Sequence, residues 1–187
     1  MQYLSKGILP WKAAKTDAAV SHVGILHNLS GVQARLWLDG QYQPGHAQGS
    51  EQLTALKELM DLGIAESSII TDNAALFRIL TNCSICPVKV KLVLLPINRM
   101  ERQIWRWISR AGLRLTIAEL TYLTEHNIKP VPGLLWKENR QALTEAIYTT
   151  ETIFDGILES HMEKSPARDI TVNTVLSLLR KKKIMLL

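Results

Sequence analysis

The chain has 187 residues, of which 47% are hydrophobic and 21% are charged, and these ordinary globular values exclude a disordered or fibrous protein. Its apolar runs are far shorter than the ~20 residues that a membrane-spanning helix needs, and two cysteines are too few for a disulfide framework. We therefore expect a cytoplasmic protein with no membrane partner.

Charge is distributed unevenly along the chain. Residues 1–87 carry 6 basic and 7 acidic side chains, whereas residues 88–187 carry 16 basic and 10 acidic ones. Because an excess of positive charge favours a polyanionic partner, we expect nucleic acid to bind the second half. We predict two subdomains with this boundary: a hairpin-and-helix subdomain over residues 1–87, and a basic, mainly helical subdomain over residues 88–187.

The first subdomain begins with a segment of mixed composition, in which we predict a short helix near residues 12–26. Residues 32–38 then alternate between apolar and polar side chains, and Asp39-Gly40 follows, a dipeptide that tolerates the positive φ angles of a type I′ turn. The pattern predicts a β-hairpin that returns over residues 41–43. Two helices should follow, over residues 51–62 with Ser50 as N-cap and over residues 73–82 with Asp72 as N-cap.

The second subdomain is predicted to be mainly helical. A strand is expected over residues 88–92, because apolar and basic residues alternate there before Pro96. Capping boxes are expected at Asn98 with Glu101 and at Thr116 with Glu119. The five predicted helices cover residues 98–111, 117–125, 138–148, 151–163 and a last segment that starts at Ser165-Pro166 and ends near residue 180. A short strand should end the chain at residues 184–187, so the predicted fold class is mainly α with a minor α+β part.

Sequence motifs for catalysis are missing. Glycine-rich phosphate loops, a Gly-x-Ser-x-Gly elbow and a His-Glu-x-x-His motif are all absent, and the five histidines are scattered. Cys83 and Cys86 form a Cys-x-x-Cys pair, but the sequence has no second ligand pair to complete a zinc site. We interpret both as small buried apolar side chains near a turn. The prediction is a non-enzymatic protein with no cofactor and no metal.

The most informative pattern is a row of arginines in the helix predicted over residues 98–111. A spacing of 3, 4 and 4 residues places four of them on one helical face: Arg99, Arg102, Arg106 and Arg110. Ile104 and Ile108 lie on the opposite face and should pack inward, while Trp105 lies at the border. With Lys89 and Lys91 of the preceding strand, the row could follow a phosphate backbone, and Trp105 could stack on a base.

A second interpretation of the arginine row is open. Glu151, Asp155, Glu159 and Glu163 are spaced by four residues and form an acidic stripe of similar length. The two stripes could pair within one chain or across a homodimer interface, where they would select register and orientation. The protein would then be an interaction or adaptor subunit of a larger complex.

The order of the elements from Asn98 onward resembles that of winged-helix and helix-turn-helix domains, with a last helix that leads through a basic run into a strand. Residues 127–134 depart from it, because they are longer than the 3–4-residue turn of a helix-turn-helix. The resemblance implies a DNA-binding or protein-interaction module. It adds candidate base-reading residues on the third helix, Asn139, Arg140 and Gln141, and a second phosphate-binding patch of Arg180, Lys181, Lys182 and Lys183. We expect a nucleic-acid-binding protein, either a DNA-binding transcription regulator or a subunit that grips nucleic acid, with DNA favoured over RNA.

Overall fold

The structure is a computed structural model that describes residues 1–10, 17–88, 96–111, 114–129, 136–148 and 157–187, with the backbone alone at residues 110, 111, 136, 137 and 139. The described residues divide into two compact units, a first unit of Met1–Cys83 with Met185–Leu187 and a second unit of Ser84–Ile184. The fold mixes helix and strand, and helix has the larger share. The subdomain boundary at residues 87 and 88 stays a prediction.

The first unit contains a three-stranded antiparallel sheet, a hairpin and three helices. Its strands are β1 (Gln2–Ser5), β2 (Asp17–His22), β3 (Ile25–Ser30), β4 (Gly45–His46) and β5 (Ala65–Ser68), and its helices are α1 (Gly31–Gly40), α2 (Gly49–Asp61) and α3 (Asn73–Thr81). Strand β1 lies in the centre of the sheet, between β4 and β5, and β2 pairs with β3. The helices over residues 51–62 and 73–82 are confirmed to within two residues, and so is Asp72 as N-cap. Ser50 as N-cap is wrong, because α2 begins at Gly49 with Gln48 as its N-cap.

The predicted hairpin over residues 32–43 is wrong, because α1 occupies most of this segment. Its apolar residues fit a helical period as well as an alternating one. Leu36 and Trp37 are neighbours and both are buried, which a strand with one buried face does not allow. The hairpin is formed instead by β2 and β3, whose turn residues Val23 and Gly24 have φ angles of 50° and 80°. The predicted helix is therefore wrong over residues 17–26, and residues 12–16 lie outside the described part.

Two buried aromatic side chains organise the core of the first unit. The Tyr3 hydroxyl donates a hydrogen bond to the carbonyl oxygen of Leu36 at 2.9 Å, and the Trp37 indole donates to the carbonyl oxygen of Lys6 at 3.0 Å. Each bond satisfies the polar end of a large apolar group, which allows complete burial. The Tyr3 ring lies against Gly40 and Gly45, where an added Cβ would collide with it. Strand β1 and helix α1 are thereby held together.

The second unit is mainly helical. Its elements are β6 (Ile85–Pro87), α4 (Arg99–Ala111), α5 (Ile117–Glu125), α6 (Trp136–Tyr148), α7 (Ile157–Met162), α8 (Arg168–Arg180) and β7 (Ile184–Leu186), of which β7 continues into the first unit after Ile184. Helix α4 packs against α8, α6 and β6, and α5 packs against α7 and α8. The two predicted capping boxes are confirmed, and Thr116 accepts a hydrogen bond from the Glu119 amide while Glu119 accepts one from the Thr116 amide.

Three predictions in the second half need correction or lie outside the described residues. The last helix begins at Arg168 with Ala167 as its N-cap, because Ser165 and Pro166 form a turn before it instead of its first residues. Val88 is described and lies outside any strand, while residues 89–92 of the predicted strand are not described. Of the helix predicted over residues 151–163, only residues from Ile157 onward are described. The final strand is confirmed.

Candidate nucleic-acid interface

Helix α4 is amphipathic, and its apolar face lies where the sequence predicts it. Ile104, Trp107 and Ile108 are buried in the second unit. The Trp107 indole donates a hydrogen bond to the carbonyl oxygen of Ile128 at 3.1 Å, which satisfies its polar atom. Burial of this face fixes the rotation of the helix about its axis, so the opposite face is directed to solvent.

The opposite face of α4 carries the arginine row. Arg99, Arg102 and Arg106 are exposed, and their guanidinium groups form no hydrogen bond or ion pair with any other residue that the structure describes. Trp105 is half-buried next to Arg106. The structure does not describe the Arg110 side chain or any part of Lys89 and Lys91. Three members of the predicted site are thus brought together on one helix.

Glu101 lies on the buried face of α4, beside Ile104 and Ile108, and its carboxylate is buried. Its two oxygens lie 2.7 Å from the Lys181 ammonium, and one of them accepts a hydrogen bond from the Ser177 hydroxyl. The other oxygen accepts the Asn98 amide of the capping box at 2.7 Å. Burial by itself raises the pKa of Glu101, but the hydrogen bonds from Lys181, Ser177 and Asn98 and the charge of Lys181 lower it overall. Glu101 is therefore held as a carboxylate inside a four-residue cluster.

The ion pair between Glu101 and Lys181 joins the start of α4 to the end of α8. The Lys181 ammonium also donates to the carbonyl oxygen of Pro96 at 2.9 Å. The end of α8 and the first turn of α4 are consequently neighbours within the second unit. Lys181 itself is engaged in this cluster, whereas Arg180 is exposed at the last turn of α8. The sequence predicted the cap formed by Glu101 but missed its lysine partner, which is 80 residues away.

The remaining residues of the second patch follow α8 directly. Lys182 has a φ angle of 52°, in the left-handed region that often ends a helix. The Lys183 amide donates to the carbonyl oxygen of Leu178, and its own carbonyl oxygen accepts the Val88 amide. Lys182 is exposed and Lys183 half-buried. This run therefore forms a structured helix end with its charges at or near the surface.

Helix α6 carries the residues expected to read bases. Arg140 and Gln141 are exposed, and Gln141 donates a hydrogen bond to the Glu145 carboxylate at 2.9 Å. The Asn139 side chain is not described. The positive charge of Arg140 acts on Glu119 of the neighbouring helix α5, whose pKa is raised by burial in spite of this cation and of hydrogen bonds from Thr116 and Tyr148. Arg140 therefore has an acidic neighbour inside the unit.

The acidic stripe is only partly described. Glu159 lies on α7 and Glu163 just after it, and both are half-buried. Glu151 and Asp155 lie outside the described residues. Glu159 acts on the buried Glu119, where its negative charge raises the pKa of that carboxyl group. The hypothesis that the acidic stripe pairs with the arginine row therefore stays open.

The two cysteines are buried thiols, as the sequence predicts. Burial raises the pKa of Cys83 to about 12 and also raises the pKa of Cys86. The Cys83 Sγ lies 3.3 Å from the carbonyl oxygen of Ile79, as in a weak hydrogen bond along α3. A thiol with a raised pKa is a poor nucleophile at neutral pH, so both side chains pack as small apolar groups.

Among the described residues, no group of three or more His, Cys, Asp or Glu side chains could hold a metal ion. None of the described helices combines the length and the apolar character that crossing a membrane requires. No protein-family model, curated protein or solved structure matches the chain. Its function therefore has to be inferred from the residues described above.

Proposed function

We propose that the second unit binds nucleic acid through contacts between phosphates and the exposed arginines of α4. The observation that supports this function is the row of Arg99, Arg102 and Arg106, whose guanidinium groups have no partner among the described residues. A row of like charges is unfavourable on its own, and a polyanion that neutralises it gains affinity by releasing counterions. The protein is thus a nucleic-acid-binding protein without catalytic activity, and duplex DNA is the favoured ligand.

The length of the row suits a phosphate backbone. Arg99 to Arg106 span seven residues, or about 10 Å of helix. One strand of duplex DNA presents about three phosphates over this distance along its axis. The three described arginines can therefore contact consecutive phosphates, which gives affinity with little dependence on sequence.

A second set of contacts is offered by the end of α8. The pair between Lys181 and Glu101 places Arg180 and the start of the arginine row on neighbouring elements. Lys181 neutralises Glu101, the one acidic residue of α4, and so reduces its repulsion of a bound phosphate. We assign Arg180 to the residues that contact phosphate. Lys181 is assigned the role of neutralising Glu101.

The winged-helix arrangement is part of this proposal. Helix α8 leads through Lys181–Lys183 into strand β7, an order that is typical of the last helix and the wing. The connection between α5 and α6 is longer than a helix-turn-helix turn, so α6 is not assigned as a recognition helix. Arg140 and Gln141 therefore remain candidates for base contacts. The proposal rests on them less than on the arginines of α4.

The test is the salt dependence of binding. Fluorescently labelled duplex DNA, single-stranded DNA and RNA of arbitrary sequence are titrated with the full chain at several salt concentrations. We expect Arg102→Gln and Arg106→Gln each to weaken binding and to reduce the slope of log affinity against log salt by about 0.7–0.9, because each removes one phosphate contact. Circular dichroism should show that both variants stay folded, since the replaced side chains are exposed.

Arg35→Gln is the matched control, because it removes the same charge from an exposed position on α1 in the first unit. It should leave affinity and salt slope unchanged. If the parent binds none of the three probes, or if the Arg102 and Arg106 variants bind as the parent does, the proposed surface is wrong. Loss of stability or of self-association in these variants, without any change in nucleic-acid binding, would support the adaptor hypothesis instead.

A further inference from the structure

The register of the hairpin in the first unit shows which residues direct their backbone amide and carbonyl groups outward. Its two-residue turn, Val23-Gly24, places His22 opposite Ile25, and in such a turn this flanking pair exchanges both backbone hydrogen bonds. In an antiparallel ladder, hydrogen-bonded and non-hydrogen-bonded pairs alternate. Ser21 and Leu26, the next pair, therefore direct their amide and carbonyl groups away from each other.

The opposite edge of the hairpin confirms this alternation. The Ser21 amide donates to the Ile8 carbonyl oxygen at 2.8 Å, and the Ile8 amide donates to the Ser21 carbonyl oxygen at 2.9 Å. Ser21 thus uses its outward groups, and Ile8 covers that edge at this position. By the same alternation, Leu26 and Asn28 direct their amide and carbonyl groups to the outer edge of β3. No residue in the described part of the chain pairs with them there.

This outer edge lacks the features that normally prevent strands from pairing. Edge strands are usually protected by lysine, other charged residues or proline. Residues 25–30 have the sequence Ile-Leu-His-Asn-Leu-Ser and contain none of these. Ile25 and Leu26 are 61% and 48% exposed, and Val23 in the adjoining turn is 82% exposed. Free backbone groups and exposed apolar side chains therefore lie along the same strand.

We propose that the outer edge of β3 pairs with the same edge of a second copy of this chain. Two identical edges can pair antiparallel about a two-fold axis. Leu26 of each copy then lies opposite Asn28 of the other copy. Charge within the first unit permits this contact, because its 6 basic and 7 acidic side chains nearly cancel. The edge itself has no charged group to attract a charged partner.

This dimer is independent of the proposed nucleic-acid surface, because Leu26 and Asn28 belong to the first unit and the arginine row belongs to the second. The first test uses the unmodified full chain. Sedimentation is measured over a wide range of concentration, and amide hydrogen exchange is followed residue by residue in dilute and concentrated samples. We expect a monomer–dimer equilibrium by mass action.

In the concentrated sample the Leu26 and Asn28 amides should exchange about tenfold more slowly than in the dilute one, if nine-tenths of the chains are paired. The His27 and Leu29 amides should be protected in both samples, because their bonds to β2 do not depend on a second copy. A chain that stays monomeric, or a dimer in which Leu26 and Asn28 exchange equally fast at both concentrations, would overturn the proposal.

The second test places a charge on the edge. Asn28→Lys should abolish the dimer, because the same lysine would appear twice near the two-fold axis. Gln43→Lys, at an exposed residue outside the hairpin, is the matched control and should leave the dimer intact. Leu26→Ser keeps the backbone ladder and should weaken the dimer by at least about tenfold through lost apolar burial. A dimer that survives both edge variants is formed by another surface and contradicts the proposal.

Discussion

The two units bury charge in opposite ways. In the first unit the buried member of the ion pair is a cation, Lys6, whose side chain is 9% exposed beside the 25% exposed Glu66. In the second unit the buried member is an anion, Glu101, which is 1% exposed beside the 26% exposed Lys181. In each pair the lysine also donates to a backbone carbonyl oxygen distant in sequence. Lys6 donates to that of Asn82, and Lys181 to that of Pro96.

The difference shows how each unit obtains its surface charge. Burying an acidic residue in a unit with 16 basic and 10 acidic side chains hides negative charge, while Arg99, Arg102 and Arg106 of the same helix are exposed on its other face. The first unit buries a lysine instead, and its low net charge comes from 6 basic and 7 acidic side chains that nearly cancel. The first arrangement favours the proposed phosphate contacts, and the second favours the proposed pairing of two β3 edges.

The largest expected effect comes from the core of the first unit. Trp37→Ala should lower the free energy of unfolding by about 3–5 kcal/mol, because it leaves a cavity and removes the hydrogen bond to the Lys6 carbonyl oxygen. Trp105→Ala is the matched substitution in the second unit and should lower it by much less, since Trp105 is only half-buried. Urea denaturation measures both. A free energy of unfolding left unchanged by Trp37→Ala would show that Trp37 does not hold the first unit together.

A medium effect is expected from the ion pair of the second unit. Lys181→Met leaves Glu101 buried without its cation and should lower the free energy of unfolding at neutral pH by about 2–3 kcal/mol. Lys164→Met removes the same charge from an exposed position and should change it by less than about 0.5 kcal/mol. Urea denaturation at neutral pH compares the two. If both variants match the parent, the pair has no structural role.

The same pair contributes to the dependence of stability on pH. The pKa of Glu101 is lower in the folded chain than its ordinary value of 4.5, so its contribution to stability is complete above 4.5 and is lost as pH falls through the lowered value. Glu119 acts in the opposite direction, because burial raises its pKa and protonation in acid relieves that cost. In Lys181→Met the burial of Glu101 dominates, and the variant should lose less stability in acid than the parent does.

The smallest expected effect concerns helix caps. Thr116→Ala should cost about 1 kcal/mol, because the capping box of α5 loses its side-chain acceptor for the Glu119 amide. Ser30→Ala provides the comparison in the first unit, where Ser30 is the N-cap of α1 but forms no side-chain cap bond. It should change stability by less than about 0.5 kcal/mol. Thermal melting of the two variants distinguishes a cap that is used from one that is not.

Much of the second unit could be predicted from the sequence, and less of the first. The caps at Asp72, Asn98 and Thr116 and the buried side of α4 were correctly predicted. The hairpin was misplaced, because alternating apolar residues before Asp39-Gly40 match the pattern of a strand and turn as well as that of a helix. The true turn, Val23-Gly24, was missed because valine is rarely found at a positive φ angle.

The sequence by itself determined the features that depend on residues within one helical turn of each other. A capping box connects residues three apart, and the arginine row of α4 arises from spacings of three and four, so neither needs a distant partner. Only the tertiary structure decided which segments meet. It paired Glu101 with Lys181 across 80 residues, buried Trp37 to make residues 31–40 helical, and left one edge of β3 without a described neighbour. Such contacts depend on how whole elements pack, and packing free energy exceeds the small local preferences that a sequence pattern reveals.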